Sequence, residues 1–191
     1  MKILPLIFLS VFISGCDLFN VRNAQPPSQP RSDYQQAVTP DILIQNLQSS
    51  LTDKNTENYM ASFANQTFTS KKFVFSASAS AVSQFPSLAE DWGLSNEQQY
   101  FNNLITKVDV NSPITLTLSD VTSSSYGDSL VYSASYYLNV PSITADLPSN
   151  YQGQLTFDMV RDSRAIWVIY YWQDTKTSSL PSWSELKGRL Y

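Results

Sequence analysis

The hydrophobic period of this chain changes from that of a helix to that of a strand at Pro113, and this change constrains the fold more than any other feature. Before it, apolar residues recur every three or four positions: Leu43, Ile44, Leu47 and Leu51 in one run, Tyr100, Leu104, Ile105 and Val108 in another. After it, they recur every second position: Ile114, Leu116 and Leu118, then Leu130, Tyr132, Ala134, Tyr136 and Leu138, then Leu155, Phe157 and Met159. The first spacing is one stripe of a helix and the second is one face of a strand. Helices followed by a run of strands predict an α+β domain with an antiparallel sheet.

Local signals set the expected boundaries. Thr39 is suited to cap the first helix, Pro40 to its first turn, and Asp41 to the positive end of its dipole. Asp53-Lys54-Asn55 reads as a break, and Thr56 as the cap of a short second helix burying Tyr59, Met60 and Phe63. A first strand is expected at Lys72 to Ser76. The stretch from Ala77 to Ser95 reads as irregular, with Phe85, Leu88 and Trp92 as apolar plugs, and Ser95 as the cap of a third helix with Glu97 in its first turn.

Turns are expected at Tyr126-Gly127-Asp128 and Asp162-Ser163-Arg164, with a loop from Pro141 to Asn150. The segment Ile166 to Gln173 is apolar on both faces and reads as a central strand. Strict alternation sets Ile166, Val168, Tyr170 and Trp172 against Trp167, Ile169 and Tyr171. Pro181 and Ser182 introduce a short terminal helix whose Trp183, Leu186 and Leu190 are expected to cap part of the sheet face away from the other helices. The expected architecture is therefore a curved antiparallel sheet of about five strands packed on N-terminal helices, with a short C-terminal helix.

Composition excludes more than it selects. The chain has 191 residues, 12 basic and 16 acidic, for a net charge of −4, and no basic run. It thus has no electrostatic case for nucleic acid. It contains no histidine, one cysteine and five scattered glycines. Histidine-based triads, imidazole metal sites and Gly-rich phosphate loops are excluded, and no cofactor or metal is expected. The carboxylates lack the spacing of a calcium loop.

The N-terminus speaks to location. Lys2 precedes the apolar run Ile3 to Ile13, and Ile13-Ser14-Gly15-Cys16 follows. This is a secretory signal arrangement, and its last four residues resemble the lipobox of bacterial lipoproteins. The resemblance implies cleavage after Gly15 and a diacylglycerol on Cys16. Residues 1–15 are thus expected to be a signal peptide, and 16–38, rich in Pro, Gln and Asn, a lipid-anchored tether. A single domain is expected over 39–191. The implied place is the bacterial cell envelope, outside the cytoplasmic membrane, with inner and outer membrane both open. The Cys16 region and its Pro-rich tether also resemble uncharacterised lipoproteins of Bacteroidota-type bacteria.

The order of elements from Thr39 to Asp174 resembles the nuclear transport factor two-like (SnoaL-like) cone fold. Asp41 to Phe63, broken at Asp53-Lys54-Asn55, resembles its paired opening helices, and Trp167 to Asp174 resembles its terminal strand. The resemblance implies an aromatic interior in which Trp92, Tyr100, Phe101, Tyr132, Tyr136 and Trp172 either line a pocket for an apolar ligand or fill the core. Enzymes of this fold resembling ketosteroid isomerase use an Asp base with a Tyr-plus-acid oxyanion hole. Asp91 and Asp158 are the acids considered for such a role, although Asp158 alternates out of phase with the inward residues. No catalytic residue is assigned. The expected function is a noncatalytic binding or assembly module, with an envelope protein or a small apolar ligand as partner. Tyr137, Tyr171 and Trp167 are candidates for an outward binding face, and an Asp/Tyr-dependent enzyme is the alternative.

Overall fold

The computed structural model describes residues 34–191, so the expected signal peptide, Cys16 and most of the expected tether lie outside the described residues. Helix α1 spans Pro40–Thr52 and α2 spans Thr56–Met60. Strand β1 is Val74–Ser76, followed by α3 at Ala79–Gln84, a 3-10 turn at Pro86–Ala89, and α4 at Leu94–Thr106. Strands β2 (Thr115–Tyr126), β3 (Ser129–Asn139), β4 (Asn150–Arg161) and β5 (Trp167–Thr175) then precede α5, Trp183–Leu190. None of the helices among the described residues is long and apolar enough to cross a membrane.

The five strands form one curved, unclosed sheet in the order β1-β5-β4-β3-β2, with β1 parallel to β5 and the rest antiparallel. The α+β class and the antiparallel sheet follow from the change of period. The helix caps differ in detail. Asn55, not Thr56, caps α2, because its side chain accepts from the Asn58 amide. At α4 the N-cap is Gly93, whose amide donates to Asn96 Oδ1, so Ser95 lies inside the first turn. The Ala77–Ser95 stretch is also more regular than its composition suggests, because α3 and the 3-10 turn bury Ala81 and Leu88.

Two departures from strict alternation shape the sheet. In β2 the register shifts between Ser119 and Thr122, with Asp120 in the left-handed region at φ 52°. In β5, Asp158 pairs with Tyr171 while the next residue, Met159, pairs with Ile169, leaving Tyr170 as the extra residue of a bulge. The bulge reverses the side-chain phase. Trp167, Ile169 and Trp172 therefore share the main core, while Ile166 and Val168 form a second cluster with Ala64. Neither alternating set holds along the whole strand.

The coverage of the sheet also differs from expectation. Trp183 and Leu186 of α5 join the same core as α1, α2 and α4 rather than capping the opposite face. Around Ile166 and Val168 the cover comes from the segment after α2, where Ala64 N–H donates to the Ile169 carbonyl and Ile169 N–H donates to that of Ser62. The last residues assigned to the tether are packed as well. Ala37 is buried and accepts from the Trp167 amide, and Gln35 exchanges hydrogen bonds with the Asn46 side chain.

Candidate functional site

Helix α4 carries Glu97 at the same helical spacing as Tyr100, Phe101 and Leu104, so its carboxylate turns inward with the apolar stripe. Helix α5 does the same with Lys187, one turn beyond Trp183 and beside Leu186. The two meet inside the cone. Lys187 Nζ lies 2.6 Å from Glu97 Oε2 and 2.8 Å from Oε1, with both side chains at 0% exposure. Two neutral donors complete the carboxylate: Tyr59 Oη–H at 2.6 Å from Oε1 and Trp92 Nε1–H at 2.7 Å from Oε2.

Aromatic rings enclose the ammonium. Nζ lies 3.6 Å from the centroids of both Phe75 and Trp172, 5.3 Å from that of Tyr100 and 5.5 Å from that of Trp92. A desolvated cation gains from such faces, but burial still outweighs the attraction of Glu97 and lowers the Lys187 pKa to about 8. Burial, reinforced by the Glu97 charge, raises the phenol pKa values of Tyr59 and Tyr100 well above their usual range. Both stay protonated, and Tyr59 donates to Glu97.

A second network ties α5 to the sheet. Asp174 shares the inward parity of Trp172, two residues before it, and is buried. It accepts from Tyr136 Oη at 2.7 Å, from the Ser184 amide at 2.8 Å, and from the Ser184 hydroxyl. Tyr136 in turn accepts from the Trp183 amide at 2.7 Å, and Trp183 Nε1–H donates to Tyr100 Oη at 2.8 Å. Tyr136 can reach Asp174 because it crosses β4 at its register partner Gly153, where any Cβ would meet its ring. Ser182 caps α5 in a capping box with Glu185, which Lys176 also pairs.

The six aromatic residues singled out from the sequence are all buried, but they divide. Trp92, Tyr100 and Trp172 surround the Lys187 ammonium. Phe101 stacks at 3.9 Å on Tyr59, and Tyr136 belongs to the Asp174 network. Tyr132 lies apart, stacked with Phe157 at 6.4 Å. The Trp172 indole N–H has no hydrogen-bond partner among the described residues. Neither considered acid joins the group. Asp91 is exposed beside Lys72, and Asp158 points off the inner face toward Tyr170. The acids inside are Glu97 and Asp174, which helical spacing on α4 and parity with Trp172 could have revealed. On the outward face Tyr137 is 43% exposed and Tyr171 half-buried, whereas Trp167 lies in the core because of the bulge.

Comparison with solved structures supports the architecture. A candidate aromatic ring hydroxylase from Novosphingobium aromaticivorans is similar at TM-score 0.57 and 13% identity, over 77% of this chain and 92% of that one. A candidate dehydratase of the NTF2-like family from Streptomyces avermitilis is similar at TM-score 0.55 and 10% identity, over 73% of this chain and 94% of that one. The fold is NTF2-like. An NTF2-like protein of unknown function from Pseudomonas putida is similar at TM-score 0.50 and 13% identity, over 70% of this chain and 80% of that one. The NTF2-like likeness extends to the fold alone. No protein-family profile and no curated protein matches the sequence.

Proposed function

We propose that this chain is a lipid-anchored cell-envelope protein whose NTF2-like domain serves as a noncatalytic binding or assembly module. The observation that carries this reading is the state of the interior carboxylates. Glu97 is surrounded by Lys187, Tyr59 and Trp92, and Asp174 by Tyr136 and Ser184. A general base must reach a proton of its substrate, whereas Glu97 is fully buried and both carboxylates already hold hydrogen bonds from the chain itself. The lipobox-like sequence before Cys16 supports the anchor.

The outward sheet face is the binding surface in this reading. Around Tyr137 and Tyr171 it presents Ser135, Gln152, Gln154 and Gln173, with Asp158 as its acid. Such a polar, lightly charged surface with aromatic rings suits a protein partner held in the same envelope. A photo-crosslinking amino acid at Tyr137 in the full, lipidated chain tests this. One dominant protein adduct, lost together with palmitate labelling in Cys16→Ser, is expected. Absence of an adduct, or palmitate labelling retained in Cys16→Ser, would overturn the corresponding half of the reading.

The Tyr136–Asp174 pair favours a second reading, an Asp/Tyr-dependent enzyme. A cleft of about 470 Å³ bordered by Ala77 to Ser80 and Gln173 to Lys176 reaches Asp174. The Ser184 hydrogen bonds to that carboxylate weigh against it.

A further inference from the structure

We propose that the interior of the cone is a recognition site for a primary alkylammonium, which Lys187 of the chain's own α5 fills as a stand-in ligand. The groups that face the ammonium all lie outside α5, although Trp183 of α5 packs on Trp172 and donates to Tyr100. Glu97 and Tyr100 come from α4, Tyr59 from α2, Phe75 from β1, Trp172 from β5, and Trp92 from the turn before α4. Together they supply a carboxylate, two neutral donors that hold it, and ring faces on the cation side. That is the complementarity an alkylammonium requires.

The occupant arrives on a short element. Helix α5 has eight residues and follows an irregular link from Lys176 to Pro181. Beside the apolar Trp183 and Leu186, its buried side carries Ser184, Glu185 and Lys187, and these and the N-cap Ser182 are all held by hydrogen bonds. The polar contacts can be exchanged for water when the helix leaves, so that the loss on opening is confined to the burial of Trp183 and Leu186. A buried ion pair also contributes little net stability compared with apolar packing. A site of this quality is therefore better explained by recognition than by folding. Opening exposes Trp183, which gives the motion an optical signal.

The test uses the full chain and n-propylammonium, which reproduces what Lys187→Ala removes beyond Cβ, with 1-propanol at matched ionic strength as the neutral control. In Lys187→Ala, propylammonium is expected to raise Tm saturably and to bind on the order of tenfold or more tighter than propanol. Adding Glu97→Gln should abolish that preference. In the wild type, propylammonium should increase hydrogen exchange across α5 and change Trp fluorescence, and propanol should not. Equal effects of amine and alcohol on the variant would overturn the proposal. Rescue of the variant with an unmoved wild-type α5 would reduce Lys187 to a permanent structural plug and also overturn it. If Lys187→Ala does not fold, the wild-type exchange measurement decides alone.

Discussion

Lys187 and Glu97, ninety positions apart in sequence, form an ion pair at 2.6 Å with neither side chain exposed. The pair joins α5 to α4, and the rings of Phe75 and Trp172 close over it. Its burial makes the two single substitutions and the double substitution behave very differently.

Glu97→Gln leaves an ammonium buried without its counter-ion and should destabilise the domain by about 3–5 kcal/mol. Lys187→Met combined with Glu97→Gln removes both charges with little change of volume, and should recover most of that loss. Denaturant melts of the single and double variants, read as a double-mutant cycle, measure the coupling.

The depressed Lys187 pKa gives a pH signature. Below about 8 the folded and unfolded chains both carry the proton, and the full cost of burying the charge is present. Between about 8 and the ordinary lysine value of about 10.4 only the unfolded chain holds it. Stability should therefore rise with pH there, by at most about 1.4 kcal/mol per unit. Above pH 10 the trend should reverse, because buried Tyr59, Tyr100 and Tyr136 keep protons that the unfolded chain loses. Comparing wild type with Lys187→Met across this range isolates the lysine; identical slopes would contradict the assignment.

Gly153→Ala should disrupt the second network. A Cβ at Gly153 would lie 2.7 Å from Tyr136 Oη and 2.6 Å from the Thr175 carbonyl. Tyr136 must then swing away from Asp174, at a cost of about 1–3 kcal/mol. Tyr136→Ala removes the side-chain obstacle but not the Thr175 carbonyl, so the double variant should be less destabilised than the sum of the singles while remaining less stable than Tyr136→Ala alone.

Trp172→Ala should cost about 3–5 kcal/mol. The ring is at 0% exposure and packs edge-on against Phe75, Phe157 and Trp183. A loss below 1 kcal/mol in chemical denaturation would mean that the strand's inner face is not closed by α5.

The fold was legible where a single period ran unbroken. The Leu43–Leu51 stripe and the alternation along β3 and β4 determine their elements directly. Strand β5 was not, because its bulge at Tyr170 depends on pairing with Met159 and Asp158 on β4, which no window of β5 contains. The interior aromatics were legible as a set, since large rings at inward positions are buried in most arrangements. Their division around Lys187 and Asp174 was not. Glu97 lies in a first turn, where the helix dipole alone accounts for a carboxylate, and only its spacing to Tyr100 and Leu104 marks it as inward. The side of the sheet that α5 covers is a tertiary matter, decided by Trp183, Ser184 and Lys187 finding partners inside the cone.

The most direct measurement is lysine footprinting of the native full chain with an acetylating reagent, read by peptide mass spectrometry. Exposed Lys71 and Lys72 serve as internal references. Closure of the cone by α5 predicts that Lys187 stays unmodified while both are acetylated, and that it reacts once the protein is unfolded. Acetylation of Lys187 at the rate of Lys71 in the folded protein would contradict the account.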